Sequence, residues 1–333
     1  MSIRMAQYGT RHGHAAGKMR SMLTNPNVDV AGLYEPDRSL WPALGERADY
    51  SGVRLYQSLD EMLGDASIAA VAIEGRNDES LAMAQAALDA GKHLWYDKPG
   101  GDDWSAFRQL IAGARERDLR VQMGYMFRYH DGFGRIADWA REGLLGDVFG
   151  VRAHMSTWLT IPAREVISRH VGGIFYDLAG HMLDQVVWLL GRPRRVSAYF
   201  RNDATPELPA FSDNTLGVFE FDKAMATVDV AAMEPRPMAR RFEVYGTRGS
   251  AIILEPFEPA HHIRLCLTQP SGTYSEGEQI VDAPSQSRQS LYDRELIAFV
   301  AAIQGERPPD RPLDHELLVQ ETLLRATGGI VDR

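Results

Sequence analysis

The first regular segment of the chain reads Ile3-Arg4-Met5-Ala6-Gln7-Tyr8-Gly9-Thr10-Arg11-His12-Gly13-His14-Ala15. Residues 3–8 predict a β-strand, residues 9–14 a glycine-containing turn, and helical spacing of apolar residues continues from Ala15 to Leu23. A strand, a short turn and a helix in this order are typical of a parallel α/β sheet.

Strand-like and helix-like segments continue to alternate over the first 122 residues. Further strands are predicted at 28–34, 55–56, 68–73, 93–96 and 121–124, and further helices at 40–48, 59–63, 78–90 and 107–117. This alternation predicts a doubly wound parallel sheet.

The pattern changes from about residue 150. Strands are predicted at 151–155, 195–200, 214–221, 225–231, 241–245, 250–254 and 263–267, with helices at 175–190, 290–303 and 314–326. Successive strands without intervening helices indicate a large, mainly antiparallel sheet. We therefore expect an α/β protein with a first domain of residues 1–123 and an α+β domain of residues 124–333, whose helices at 290–326 are able to pack back towards the first domain.

Charge and cysteine content argue against several classes of function. The formal net charge is -9, so nucleic acid or an anionic membrane would bind against an unfavourable field. Cys266 is the only cysteine, which excludes an internal disulfide, and its alternating neighbours predict a buried thiol in a strand. Without a signal-like segment or an apolar run of about 18 residues, we expect a cytoplasmic protein with no membrane partner.

The turn after the first strand is a candidate for binding the pyrophosphate of a dinucleotide, because a helix N-terminus offers free N–H groups. It departs from G-x-G-x-x-G, since Arg11 takes the middle glycine position and the last glycine comes one residue early. Taken alone, the motif fits a turn that merely closes a βα unit equally well. The candidate cofactor contacts in it are Gly9, Thr10, Arg11, His12 and Gly13.

Two charged side chains extend this hypothesis. Glu35 ends the second strand, where a carboxylate accepts both ribose hydroxyls and repels a 2′-phosphate, so NAD is favoured over NADP. Arg38 lies close enough to weaken that preference. Arg11 either belongs to a solvated turn or binds the pyrophosphate in place of a lost backbone donor.

Three residues have the chemistry of alcohol oxidation. Lys98, in Asp97-Lys98-Pro99, ends a predicted parallel strand at the edge where such sheets bind ligands. Asp177 and His181 lie four residues apart on one predicted helix, hence on one face. We expect His181 to take the hydroxyl proton, Asp177 to orient either the substrate hydroxyl or the imidazole, and Lys98 to stabilise the developing negative charge. For the Asp177–His181 pair alone, an ordinary helical contact is the simpler explanation.

These motifs together resemble the Gfo/Idh/MocA family of glucose-fructose oxidoreductase and inositol dehydrogenase-like enzymes. The resemblance rests on acid-Lys-Pro at 97–99 and Gly-Gly-x3-Asp-x3-His-x2-Asp at 172–184, with supporting matches at 30–37, 86–93, 124–129 and 244–250. It implies a Rossmann domain and a substrate domain with an open sheet through which members associate as homodimers or homotetramers.

The resemblance also implies a function. We expect NAD, less favourably NADP, and hydride transfer from a secondary hydroxyl of a sugar, sugar acid or cyclitol. Asn77, Asp97 and Lys98 join the expected cofactor contacts, and no metal site is expected. The expected substrate contacts are Lys98, Arg128, Tyr129, Arg164, Arg169, His170, Tyr176, Asp177 and His181. Of these, Arg164, Arg169 and His170 suggest an acidic group on the substrate, such as a sugar acid.

Three departures from the family pattern accompany these matches: the short glycine turn, Asp97 in place of glutamate, and Ile73-Glu74-Gly75-Arg76-Asn77 in place of an apolar-Thr-Pro-Asn turn. Two alternatives stay open. One is transient oxidation by tightly held NAD during epimerisation, elimination or glycoside cleavage. The other is a regulator that senses NAD or a sugar without turnover.

Overall fold

The computed structural model of the protein describes residues 2–258, 260–284 and 286–330, which form two compact units. One unit comprises Met1–Tyr125 with Gln289–Leu317, and the other comprises Met126–Arg288 with Leu318–Arg333. Each unit is built around its own sheet. The two sheets confirm the predicted fold class.

Within the described residues, the first unit contains a five-stranded parallel sheet with the order β2-β1-β3-β4-β5. Its strands are β1 (Ile3–Tyr8), β2 (Val28–Tyr34), β3 (Ala70–Ile73), β4 (His93–Tyr96) and β5 (Val121–Met123). Its crossover helices are α1 (Ala15–Thr24), α2 (Trp41–Glu46), α3 (Leu59–Leu63), α4 (Ser80–Asp89) and α5 (Trp104–Glu116). Every residue of β3 is buried, as expected for a central strand covered on both faces.

The sequence prediction of a strand at Leu55 and Tyr56 was wrong. Leu55 forms only an isolated bridge to Leu33, which donates its N–H to the Arg54 carbonyl over 2.8 Å. Ser58 then caps α3 by accepting the Glu61 N–H, so the chain turns before a second pair can form. The parallel sheet consequently has one strand fewer than predicted.

A late segment of the chain completes the core of the first unit. This segment is the helix α10 (Arg288–Ile303). Its residues Leu296, Phe299 and Val300 pack with Met5 and Met19 in one buried cluster. Burying side chains of this size contributes about 1.5–3 kcal/mol each. The helix α10 is therefore part of the packing that supports the parallel sheet.

The second unit contains an eight-stranded sheet among the described residues, with the order β13-β12-β11-β10-β6-β9-β8-β7. All its pairs are antiparallel except β6 with β9. The strands are β6 (Val148–His154), β7 (Arg195–Arg201), β8 (Asn214–Glu220), β9 (Met225–Ala231), β10 (Arg241–Gly246), β11 (Gly249–Ile253), β12 (His262–Leu267) and β13 (Gly277–Asp282). The helices described in this unit are α6 (Asp131–Arg141), α7 (Ile161–Ile167), α8 (Ile174–Leu178) and α9 (Gly180–Leu190), and most of α11 (Leu313–Thr327) also belongs to it.

The single helix predicted over residues 175–190 was also wrong. The Ala179 carbonyl accepts the N–H groups of both Met182 and Leu183, at 3.0 and 2.8 Å, which tightens the chain and separates α8 from α9. Asp177 therefore lies on α8 and His181 in the first turn of α9. Because the two residues belong to different helices, their spacing of four residues does not by itself place them on one helical face.

A smaller difference concerns the burial of Cys266. Cys266 is half-buried, not buried, because strand alternation gives the core face of β12 to Leu265 and Leu267. Among the residues that the structure describes, every helix is too short or too polar to cross a membrane.

Candidate cofactor and substrate sites

The glycine turn forms at the carboxyl end of β1, as predicted. Gly9 has a φ of +85°, and a Cβ there would lie 2.8 Å from Met83 Cε and 3.0 Å from the Gly75 nitrogen, so only glycine fits. The N–H of Gly9 donates to the Tyr34 carbonyl over 2.8 Å, and the N–H of His12 donates to the Glu74 carbonyl over 3.0 Å. The turn is thereby fixed to the ends of the strands on both sides of β1.

Two predicted cofactor contacts, Thr10 and Glu35, bind each other. The Thr10 hydroxyl donates to Glu35 Oε2 over 2.6 Å, and the N–H of Asp37 donates to Oε1 over 2.9 Å. Glu35 is fully buried in this arrangement. A carboxylate has about four acceptor positions, so acceptor capacity remains for ribose hydroxyls.

Arg11 contacts Glu79 in an ion pair, and Glu79 also accepts the N–H of Arg76 over 2.9 Å. The positive charge of Arg11, a candidate for binding the pyrophosphate, is therefore partly neutralised by Glu79. Asn77 lies half-buried in the segment between β3 and α4, close in sequence to this pair.

A group of buried and half-buried titratable residues lies at the ends of the central strands. This strand-end cluster consists of Lys18, Glu74, Asp97, His12 and His14. Lys18 Nζ lies 3.1 Å from Glu74 Oε1 and 3.0 Å from Asp97 Oδ2. His14 Nδ1 lies 2.9 Å and His12 Nδ1 3.3 Å from the same Asp97 oxygen. Asp97 is therefore the shared partner of three basic side chains.

The cluster gives its two histidines opposite charge states. Burial alone would lower the pKa of His12, but Asp97 and Glu74 raise it to about 9. Burial lowers the pKa of His14 to about 4, and Asp97 opposes this shift only in part. Burial would raise the pKa of Asp97, but His12, His14 and Lys18 hold it well below its usual value. At neutral pH, His12 is therefore charged and His14 neutral.

The donor types in this cluster invite a test for a metal ion. One ligand atom each of His12, His14 and Asp97 lies within 4.8 Å of the others, a set that suits zinc. The Lys18 ammonium, however, already lies 3.0 Å from Asp97 and would repel a divalent ion. The sequence prediction of no metal ligands stays a prediction. The grouping itself was missed there, although a His-x-His turn beside an acidic strand end was a signal for it.

Lys98 is buried at the carboxyl end of β4, where the sequence placed it. Its N–H donates to Asp97 Oδ1 over 2.8 Å. One member of the strand-end cluster, Asp97, is thus hydrogen-bonded to the backbone of the proposed catalytic lysine.

In the second unit, His181 is 1% exposed and its ring meets that of Phe127 edge-on, with 5.2 Å between centroids. Asp177 is half-buried on α8. Tyr176 and His170, both predicted substrate contacts, stack with 4.6 Å between ring centroids and an interplanar angle of 19°. Tyr129 is half-buried and Arg169 is exposed. These residues supply aromatic, acidic and basic groups within one unit.

Arg128 and Arg164, both predicted substrate contacts, bind groups of the protein itself. Arg128 forms a buried bidentate pair with Asp184, at 3.0 and 2.6 Å, and lies 3.8 Å above the Trp188 ring. Arg164 is buried and donates to the carbonyls of Leu159, Ala204 and Ala232. Their donors are directed to the protein's own groups, which favours structural roles.

Family models match both units. Residues 5–125 match the model described as an oxidoreductase family with an NAD-binding Rossmann fold, and residues 133–252 match the GFO/IDH/MocA C-terminal domain. The chain belongs to the Gfo/Idh/MocA oxidoreductase family. The first unit of this family member is an NAD-binding Rossmann domain.

Individual relatives agree with this assignment. Uncharacterized oxidoreductase YdgJ of Escherichia coli (strain K12) is 32% identical over 151 residues, 44% of this chain and 43% of that protein. The 1,5-anhydro-D-fructose reductase of Ensifer adhaerens is 25% identical over 266 residues, 76% of this chain and 74% of that protein. The matches to YdgJ and two other uncharacterized oxidoreductases span between 42% and 46% of those proteins, less than half of their length.

A solved structure shows the same fold. It is an oxidoreductase from Agrobacterium radiobacter in complex with NAD+, L-tartaric acid and magnesium, with a TM-score of 0.83 and 15% identity. The alignment covers 99% of this chain and 96% of that chain.

Proposed function

We propose that this family member is an NAD-dependent dehydrogenase that oxidises a secondary hydroxyl of a sugar, sugar acid or cyclitol. The observation that carries the proposal is the buried Lys98 at the carboxyl end of β4, the ligand-binding edge of an NAD-binding Rossmann unit. The sugar-derived name of the Ensifer reductase supports the class of substrate.

The residues take separate roles in the proposed reaction. His181 accepts the hydroxyl proton as the alcohol becomes a ketone, and Asp177 orients the reacting hydroxyl. The Lys98 ammonium donates a hydrogen bond to the oxygen on which negative charge develops. NAD, held by the glycine turn and Glu35, would supply the acceptor for the hydride. The imidazole and the ammonium thus handle the proton and the charge that hydride transfer leaves behind.

Glu35 supports NAD over NADP. Its buried carboxylate follows β2 and lies beside Thr10 of the glycine turn. A buried carboxylate at this strand end repels the 2′-phosphate of NADP and accepts ribose hydroxyls. We expect a lower Kd for NAD+ than for NADP+ by calorimetry, and the reverse order would contradict this assignment.

The proposed reaction is tested by mixing the purified protein with NAD+ and a panel of sugars, sugar acids and cyclitols, and recording NADH absorbance. We expect His181→Ala to lower kcat by about 100-fold or more. His261→Ala, which changes an exposed histidine of the same unit, is the matched control. Full activity in His181→Ala would contradict the role of the base.

Two other outcomes would replace the proposal. NAD that co-purifies, with substrate conversion but no net NADH release, would assign transient oxidation. NAD+ binding without turnover of any substrate would assign a sensing role.

A further inference from the structure

The three departures from the family pattern meet at one place in the structure. Glu74 follows β3, Asp97 follows β4, and His12 belongs to the turn after β1. These strands are neighbours in the order β1-β3-β4, so their carboxyl ends lie side by side. Lys18 of α1 lies between Glu74 and Asp97. Changes scattered over 85 positions of sequence therefore form one contact network.

Lys18 is an unusual residue in this chain. The sequence has four lysines, Lys18, Lys92, Lys98 and Lys223, against a total of 36 lysines and arginines. Lys18 is fully buried, and its ammonium lies 4.5 Å from the centroid of the Trp95 ring. A lysine ammonium is a compact point charge, whereas a guanidinium needs more space and a planar set of partners. The position suits lysine in particular.

The two carboxylates need this ammonium. Burial would lower the pKa of Lys18, but Asp97, Glu74 and Glu295 raise it above its usual value, so the side chain is charged. Glu74 and Asp97 each place an oxygen within about 3 Å of Nζ. Removing one partner of a buried ion pair leaves an uncompensated charge, which is strongly destabilising. Without Lys18, the positive charge of His12, 3.3 Å from Asp97 and 3.6 Å from Glu74, would offset only part of the repulsion between the two carboxylates.

The Asp97 side chain is hydrogen-bonded to the backbone of Lys98. Its Oδ1 accepts the Lys98 N–H over 2.8 Å. On the other side, a Cβ on Gly124 would lie 2.6 Å from the same Oδ1, so the carboxylate fills its space tightly. A displacement of the Asp97 side chain would therefore weaken or break its hydrogen bond with the Lys98 N–H.

We propose that Lys18 is a positioning residue for Lys98, because it bridges Glu74 and Asp97 and so holds the carboxylate that binds the Lys98 backbone. The part of this proposal that concerns catalysis rests on the proposed function. The part that concerns the Lys98 backbone is independent of it.

The first experiment measures the backbone directly. Protein labelled with [15N]lysine gives signals from four lysine residues, each assigned by its loss on substitution. In Lys18→Met we expect the Lys98 amide to exchange about tenfold faster or more. The Lys92 amide, which donates to the Ala87 carbonyl over 3.1 Å, should keep its exchange rate and serves as the internal control.

Two further variants separate positioning from stability. Lys92→Met removes another buried lysine of the same unit, which donates to the Asp65 and Ile68 carbonyls at 2.8 and 2.9 Å. It should leave Lys98 exchange unchanged. Lys18→Met with Glu74→Gln removes one charge of each sign, so the Tm should recover relative to Lys18→Met while Lys98 exchange stays fast.

The second experiment measures catalysis. In Lys18→Met we expect kcat to fall about 100-fold, with KM for the oxidised substrate nearly unchanged, because a displaced Lys98 loses its contact with the transition state. Unchanged Lys98 exchange, equal acceleration at Lys92 and Lys98, or a kcat like that of the wild type would each overturn the proposal. If the wild type oxidises no substrate, the proposed function fails while the exchange data still decide the role of Lys18.

Discussion

The side chains of His12 and His14 show how strongly position determines charge. Both rings lie close to Asp97, and their centroids are 4.6 Å apart in an edge-to-face arrangement. His12 also faces Glu74 at 3.6 Å and takes the proton, while the charge of His12 further disfavours a proton on His14. Two identical groups in one turn therefore titrate on opposite sides of neutrality.

This difference predicts that the two histidines contribute most to stability together close to pH 6.5. The folded pKa of His12 is raised to about 9, so its contribution is complete below pH 6.5 and is lost as the pH rises towards 9. The folded pKa of His14 is lowered to about 4, so its contribution is complete above pH 6.5 and is lost as the pH falls towards 4. The midpoint of thermal unfolding, measured from pH 4 to pH 9, checks this.

Single substitutions assign the two sides of that profile. His12→Gln should flatten the decline above pH 6.5, and His14→Gln should flatten the decline below it. His261→Ala, at an exposed position, is the control. The assignment is wrong if both declines persist in both variants.

A second residue-scale prediction concerns Arg128. Asp184→Ala leaves the buried guanidinium without its bidentate partner, which should lower the free energy of unfolding by about 3–5 kcal/mol. Arg128→Met combined with Asp184→Leu removes both charges and should restore most of that loss. Urea unfolding measures both effects. If Asp184→Ala leaves stability unchanged, the pair has no structural role.

Among the elements, α8 depends on the glycine pair that precedes it. Gly173 has a φ of +50°, and a Cβ there would lie 2.4 Å from the Ser212 carbonyl oxygen. Gly173→Ala should therefore lower the Tm and displace the helix that carries Asp177, with a fall in kcat. Gly134 lies inside α6 with open space around its Cβ position, so Gly134→Ala should stabilise by about 0.5–1 kcal/mol. Calorimetry of both variants checks the contrast, and equal Tm values would contradict it.

Local patterns predicted the elements whose signals are local. The bounds of β1, β4 and β9 follow directly from apolar runs and turn residues. The segment at 277–282 was missed as a strand because Gly277-Glu278-Gln279-Ile280-Val281-Asp282 is polar and lies at a sheet edge, where pairing with β12 supplies the order. The break at Ala179 was missed because its sequence favours a continuous helix and the surrounding packing does not.

The candidate site divides in the same way. The position of Lys98 at the end of a parallel strand was predicted because the strand and Pro99 lie next to it in the sequence. The role of Lys18 was not predicted, since its neighbours Ala16, Gly17 and Met19 make it look like an ordinary helix lysine. Its partners Glu74 and Asp97 belong to other strands, and only the sheet order brings the three together.

At the scale of the whole molecule, the second unit has a sheet face suited to self-association. The registers Tyr199 with Leu216 and Glu220 with Met225 place these side chains on the face opposite the buried Phe219. Tyr199 and Met225 are 62% and 54% exposed. Apolar side chains at this exposure on an open sheet are typical of interaction surfaces. We therefore expect two copies of this chain to associate through this face.

Charged substitutions on that face test the expected dimer. Tyr199→Asp with Met225→Asp should weaken association, because a stable interface of about 1,200–2,000 Å² cannot bury unpaired carboxylates without a large loss of affinity. Ile297 lies on α10 of the first unit and is 57% exposed, so Ile297→Asp is a matched control that should leave association unchanged. Sedimentation velocity over a concentration series measures all three proteins. A wild type that stays monomeric, or a dimer lost equally in the control, would exclude this face as the interface.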